Sequence, residues 1–220
     1  EFCDELIRRG LNKKIKWFTE TRVDTVDSEL LLRMKESGAA LVMYGFEVGN
    51  RRVLAEIGKG TTLEQAVRAM DYTRKCGIRS LGLFMLGLPG DTKDTCRQTI
   101  AFAKRLNPDI CKFNIAVPFP GSRFFDEYMS GAENLDSLND KFTSWYDWSH
   151  SDGGIIYSPK GMSKKELVDL QREGMFGFYM RPGVILKHLL SGTFSFSDLL
   201  YGGYALLKNY FRIFSRPVEQ

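Results

Sequence analysis

Apolar residues fall in short, near-continuous runs that alternate with stretches of helical spacing from residue 15 to about residue 130. Four runs read as strands: Ile15–Val23, Ala40–Glu47, Ile78–Leu86 and Ile110–Val117. Asp27 is placed to cap a helix running to Ser37 and ended by Gly38, with Leu30, Leu31 and Met34 as its apolar face. Thr61 and Glu64 form a T-x-x-E capping box for a helix through Cys76. Leu63, Ala66, Val67 and Met70 make its apolar stripe, and Gly77 stops it. Asp91 or Thr92 caps a third helix through Leu106, with Cys96, Ile100 and Ala103 inward and Asn107-Pro108 at its end. Ser122–Met129 reads as a short helix. Strands alternating with helices imply a parallel sheet with right-handed crossovers, its strands adjacent in chain order. Four such units do not close an eight-stranded barrel and suit an open sheet or the second part of a barrel.

After Gly131 the pattern changes. Residues 132–161 read as an irregular aromatic segment with Trp145, Tyr146, Trp148 and His150. Ser163 and Glu166 form another capping box. The helix that follows runs to about Met180, with Leu167, Leu170, Met175 and Phe178 on one side; Pro182 interrupts or restarts it. Ser197 is placed to cap a last helix through Phe214. Two regions result: 1–131, the α/β part, and 132–220, an aromatic-rich connector with a helical appendage.

Composition narrows the function classes. The chain has 220 residues, 43% hydrophobic and 26% charged, the balance of a globular protein. Its net charge of +4 comes without any block of five like charges, which argues against a dedicated nucleic-acid binder. No uncharged apolar run approaches transmembrane length. The chain begins Glu1-Phe2-Cys3, with no charged-then-apolar leader, and reads as a cut through a longer protein. Cys3, Cys76, Cys96 and Cys111 are too far apart for a C-x2-C or C-x3-C pair, so no zinc or iron–sulfur site is readable. Reduced, partly buried thiols of a cytoplasmic protein are the expectation.

The candidate chemistry sits where strands end. Gly82–Asp91 reads G-L-F-M-L-G-L-P-G-D, a buried strand running into a glycine-proline turn and a helix start. Gly87 and Gly90 flank Leu88-Pro89, so bare backbone N–H groups are expected there, in the position where parallel α/β proteins bind ligands. Tyr44-Gly45-Phe46-Glu47-Val48-Gly49 and Pro118-Phe119-Pro120-Gly121-Ser122 are two further edges of this kind.

The run from Trp17 to Ser122 resembles the second half of a radical SAM core, closest to the cobalamin-dependent branch of cyclases and methyltransferases. The pieces that carry the resemblance are T-E-T-R-V-D (19–24), E-L-L-L-R-M-K-E-S-G (29–38), Y-G-F-E-V-G-N (44–50), V-L-A-E-I-G-K-G-T-T (53–62), the Gly82–Asp91 turn and P-F-P-G-S (118–122). F-Y-M-R-P (178–182) resembles that branch more weakly. The resemblance implies part of a six-stranded parallel (β/α) barrel with S-adenosylmethionine across the strand ends. It implies a 4Fe-4S cluster held by a C-x3-C-x2-C motif that this chain lacks, and cobalamin. It further implies a small-molecule substrate, an upstream half of the same protein, and an electron donor such as flavodoxin or ferredoxin.

Carried onto this chain, the resemblance assigns the cofactor to Arg22, Glu47, Gly82, Gly87, Pro89, Gly90, Asn114, Val117 and Pro118. Glu47 would accept from a ribose diol; the alternative is a carboxylate satisfied by a helix N-terminus or an arginine. Arg22 would take the methionine carboxylate bidentately; the alternative is an ion pair with Asp24 or Glu47. Gly82, Gly87 and Gly90 would let backbone approach the cofactor. Asn114, Val117 and Pro118 lie where the adenine edge would be held. Val48 departs from the family's small polar residue and Asp91 from its glutamate, Asp91 reading as a helix cap. The aromatic cluster Trp145–His150 reads as a hydrophobic lid or core, with a substrate mouth as the alternative. The rival to the enzyme is a non-catalytic module with a nucleotide-like ligand. A phosphate-binding barrel would need a glycine-rich loop followed by lysine, which is absent.

Overall fold

The structure, a computed structural model, describes residues 1–119, 121–130 and 157–190. Helix α1 (Phe2–Arg8) and a 3-10 turn (Leu11–Lys13) lead into β1 (Trp17–Thr21), α2 (Ser28–Glu36) and β2 (Ala39–Glu47). Then come α3 (Arg51–Glu56), α4 (Leu63–Lys75), β3 (Arg79–Leu86), α5 (Lys93–Leu106), β4 (Ile110–Ile115) and α6 (Arg123–Ser130). Helices α7 (Lys164–Tyr179) and α8 (Pro182–Leu190) follow. The four strands form one sheet in the order β1-β2-β3-β4, all pairs parallel, as the alternation of strand and helix requires. All four C-terminal strand ends therefore lie along one edge.

Side-chain alternation sorts the sheet into two faces. Val42, Tyr44 and Phe46 on β2, Phe84 and Leu86 on β3, and Cys111 and Phe113 on β4 are buried on the helix-covered face. Phe46, Phe84 and Phe113 form a ladder with ring centroids 5.2 and 5.5 Å apart. Burial pushes the Tyr44 hydroxyl up to about 12. It meets Thr73 Oγ1 at 2.7 Å, and Thr73 in turn donates to Ala69 O. The opposite face carries Phe18, Leu41, Met43, Leu81, Leu83 and Met85, all half-buried or exposed.

Several local features differ from the sequence expectations. The box of α4 is Thr62 with Gln65, one residue beyond Thr61 and Glu64; both pairs fit the same template. Thr92, not Asp91, caps α5, boxed with Thr95. Ser163 and Glu166 do exchange capping bonds, and Pro182 begins α8. Helices α1 and α3 were not anticipated; α3 is six residues long, started by the Asn50 side chain accepting from Val53 N. At the β1 edge Val23 is buried, and Trp17 packs against Phe2 with ring centroids 5.4 Å apart and donates to Ser37 O. Phe18, 69% exposed, and Phe2, 63% exposed, are open apolar side chains there.

The chain forms two compact units, Glu1–Gln171 and Arg172–Gln220. In the second, Phe178, Val184 and His188 are buried, and the Arg181 guanidinium lies 4.4 Å from the Phe178 ring centroid. The aromatic segment around Trp145–His150, the helix from Ser197 and the expected boundary at 131/132 fall outside the described residues.

Candidate functional site at the strand ends

Glu47 ends β2 in a backbone conformation that side-chain-bearing residues rarely adopt, φ +63°. The register slips between Gly45 and Glu47, and Val48 N–H bonds to Phe46 O across the turn. Bulges and positive φ of this kind re-aim a side chain, and the cost is tolerated where function requires it. Here the carboxylate is swung back over Gly45. A Cβ on Gly45 would sit 2.8 Å from both Glu47 Oε1 and Lys59 Nζ. Lys59 Nζ donates to Glu47 Oε1 and to Gly45 O, and the pair is largely buried. Glu47 Oε2 has no hydrogen bond among the described residues, which leaves one carboxylate oxygen to accept from a ligand.

Arg22, just beyond β1, is committed elsewhere. Its Nε and Nη2 grip Asp24 at 3.0 and 2.8 Å, and Nη2 also donates to Lys59 O at 2.8 Å. The guanidinium holds the Asp24 carboxyl below its usual range. The two-donor fork expected for a ligand carboxylate is thus occupied, and Nη1 remains. Lys59, which the sequence reading passed over, joins the two ends: its carbonyl holds Arg22 and its ammonium holds Glu47. It stands in a loop before Gly60, twelve positions from Glu47, and only the folded chain brings it there.

The turn after β3 is not bare. Gly87 N–H and Leu88 N–H both donate to Asp91 Oδ2 at 3.0 Å, and the Thr95 hydroxyl donates to Oδ1 at 2.7 Å. Asp91 is therefore the brace of the turn and not the helix cap. Burial holds its carboxyl above the usual range although these bonds pull the other way. Gly87 has φ +81°, and a Cβ there would meet Leu167 Cδ2 of α7 at 2.7 Å. Pro89 and Gly90 line a cleft of about 400 Å³ with Glu56, Ile57, Ser122, Arg123 and Phe124. Arg22, Glu47, Gly87 and Pro118 are not among the residues lining that cleft.

Gly90 shows how the cleft wall is built. Arg52 Nη2 donates to Gly90 O at 2.8 Å, and a Cβ would fall 2.0 Å from Glu56 Oε2. That oxygen ends a flexible, exposed side chain and can swing away. Gly90→Ala is therefore expected to cost only the left-handed backbone penalty, about 1–2 kcal/mol, read as a small fall in melting temperature.

The remaining expected residues divide. Gly82 lies mid-strand on the helix-covered face, its Cβ position 3.0–3.1 Å from Phe84, Pro108 and Phe46. Its lack of a side chain makes room for the aromatic ladder, and it does not face the strand-end site. Val48 is fully buried in the core. Asn114 lies half-buried on the open face; Val117 and Pro118 follow β4, with Val117 half-buried and Pro118 buried.

Residues 1–103 match the family model described as the radical SAM superfamily, and the chain belongs to that superfamily through this domain. It is 33% identical over 175 residues to an uncharacterized methyltransferase of Pyrococcus horikoshii, covering 80% of this chain and 36% of that protein. It is 30% identical over 186 residues to the anaerobic magnesium-protoporphyrin IX monomethyl ester cyclase of Cereibacter sphaeroides, covering 84% of this chain and 29% of that one. The chain thus spans about a third of the length of these relatives. Among solved structures, the radical S-adenosylmethionine methyltransferase TsrM from Kitasatospora setae, with cobalamin and a [4Fe-4S] cluster bound, superposes with a TM-score of 0.53. It is 17% identical, and the match covers 78% of this chain and 31% of that one, a likeness of fold.

A 4Fe-4S cluster does not fit the residues described. No three His, Cys, Asp or Glu side chains come together among them. Cys3, Cys96 and Cys111 are buried, and burial together with the Asp91 carboxylate pushes the Cys96 thiol up to about 12, far from a thiolate ligand. Among the described residues no helix is long and apolar enough to cross a membrane.

Proposed function

We propose that this chain is the S-adenosylmethionine-binding part of a radical SAM enzyme of the cobalamin-dependent branch, acting in the cytoplasm on a small molecule by methyl transfer or cyclisation. The observation that carries the reading is Glu47. A carboxylate held at a strand end by a bulge, a positive φ and a buried lysine, with one oxygen open, matches what a ribose diol needs. Glu47 accepts from the ribose, with Lys59 fixing its rotamer and Arg22 Nη1 available to the methionine carboxylate. The Gly87–Gly90 turn, braced by Asp91, would let backbone approach the cofactor, and Asn114, Val117 and Pro118 would hold the adenine edge. The cluster belongs to an upstream part of the same protein, through a C-x3-C-x2-C motif; flavodoxin or ferredoxin supplies the electron, and cobalamin accompanies the methyl transfer.

The test is anaerobic iron–sulfur reconstitution of the full-length protein followed by assay for 5′-deoxyadenosine and methylated product. Formation of 5′-deoxyadenosine supports the enzyme. Its absence, together with no C-x3-C-x2-C within about one hundred residues upstream, a span set by the missing βα units, favours a non-catalytic binding module.

A further inference from the structure

Lys112 stands out on the open face of the sheet. It is exposed in the middle of β4, between Cys111 and Phe113, which are buried on the other face. The register places Gly45, Leu83 and Lys112 in one row across β2, β3 and β4. The first position of that row is covered by the Glu47–Lys59 pair, whose charges offset one another. The second is Leu83, flanked along β3 by Leu81 and Met85 on the same face. Lys112 is thus the uncompensated charge of the row, about 10 Å from Gly45 across two strand spacings. Neither Lys112 nor Asn114, the next residue on its face, has a side-chain hydrogen bond or ion pair among the described residues. Two further charges lie on this face among the described residues: Arg79, of the same sign as Lys112 and at the start of β3, and Glu20 on β1, about 14 Å away across three strand spacings and out of pairing range.

A lysine in an edge strand is often a guard against edge-to-edge pairing. One acceptor of this edge is taken: Gln171 Nε2 of α7 donates to Phe113 O at 2.7 Å. An exposed ammonium beside an aliphatic strip suits a ligand with an apolar body and an anionic group. We propose that the substrate lies on this open face beneath the cofactor, its apolar body against Leu81, Leu83 and Met85, and that Lys112 binds a carboxylate, phosphate or phosphonate on it. The inference rests on the cofactor reading above for the identity of the site, and it makes Lys112 a specificity residue for an anionic substrate.

The experiment compares two probes on the full-length protein, with and without saturating S-adenosylmethionine: 8-anilinonaphthalene-1-sulfonate and its neutral analogue N-phenyl-1-naphthylamine. The unmodified protein should prefer the anionic probe. Lys112→Gln should weaken that probe at least about tenfold, the scale of a lost hydrogen bond to a charged group, while leaving the neutral probe and S-adenosylmethionine affinity unchanged. Lys112→Arg should keep the preference. Equal loss of both probes, or no loss of either, overturns the proposal. Weakened S-adenosylmethionine binding in Lys112→Gln also overturns it, because the anion would then be the cofactor's own carboxylate. If the unmodified protein fails to bind S-adenosylmethionine, the cofactor reading falls while the probe result still stands or fails on its own.

Discussion

Replacing Asp91 with alanine is expected to destabilise the protein by about 3 kcal/mol, a fall of roughly 6–12 °C in melting temperature. Asp91 is 3% exposed and accepts from Gly87 N–H, Leu88 N–H and the Thr95 hydroxyl. Alanine removes the carboxylate acceptor from three donors in a buried turn; Thr95 has a second acceptor at hand, Thr92 O. Asp91→Asn keeps the shape and one oxygen for the two backbone donors, so it should lose far less. The two variants also separate by pH. Burial raises the Asp91 carboxyl in the folded chain above its ordinary value of 3.8. Between that value and the higher folded-state one, the folded chain holds a proton that the unfolded chain has released. The contribution of Asp91 is therefore fully present below pH 3.8 and declines as pH rises through the folded-state value. Asp91→Asn should remove this decline. Thermal melts of the three proteins across that window check it; an Asp91→Ala protein that melts with the unmodified one would show the turn to be self-supporting.

Gly49→Ala should cost about 2–4 kcal/mol, at the upper end for overpacking. Its Cβ would fall 2.4 Å from Phe102 Cβ, 2.8 Å from Gln98 O and 2.8 Å from Thr99 Cα. None of these atoms is the free end of a flexible side chain. The loop after β2 would have to lift off α5 and would loosen the bond from Gly49 N–H to Thr99 Oγ1, 2.9 Å long. Because that loop continues from Glu47, ligand affinity should fall along with stability. Chemical denaturation gives the cost directly; a loss below that of Gly90→Ala would contradict the close approach.

The contrast among the glycines also marks where sequence reasoning ends. Gly49, Gly82, Gly87 and Gly90 look alike in a strand-and-turn string, yet one is pressed on a helix, one makes room for aromatic rings and two take positive φ in the β3 turn. The four strands and their order could be read because each strand is a short apolar run bounded by turn residues, and α4 and α5 because their stripes span several turns. Helix α3 is too short to show a period, and its Asn50 start resembles any loop. Asp91 and Thr92 were equally good caps by residue type; packing assigned one to the turn and the other to the helix. The strand-end candidates Arg22 and Glu47 could be named from their position together with the family resemblance. Their connection through Lys59, and the filling of the Arg22 fork by Asp24, depend on which side chains tertiary contact brings within reach.

The most direct measurement is anaerobic calorimetric titration of S-adenosylmethionine into the full-length protein and its Glu47→Gln variant, paired with melts in the absence of cofactor. The amide keeps the volume and an oxygen for Lys59 but turns a donor toward the ribose, so affinity should fall by about 1–3 kcal/mol, tenfold or more. The cofactor-free melt should shift by no more than about 1 kcal/mol, since Lys59 keeps its bond to Gly45 O. Equal affinity in the two proteins, or a variant that melts much earlier without cofactor, would make Glu47 a structural residue and contradict the assignment of the strand ends to S-adenosylmethionine.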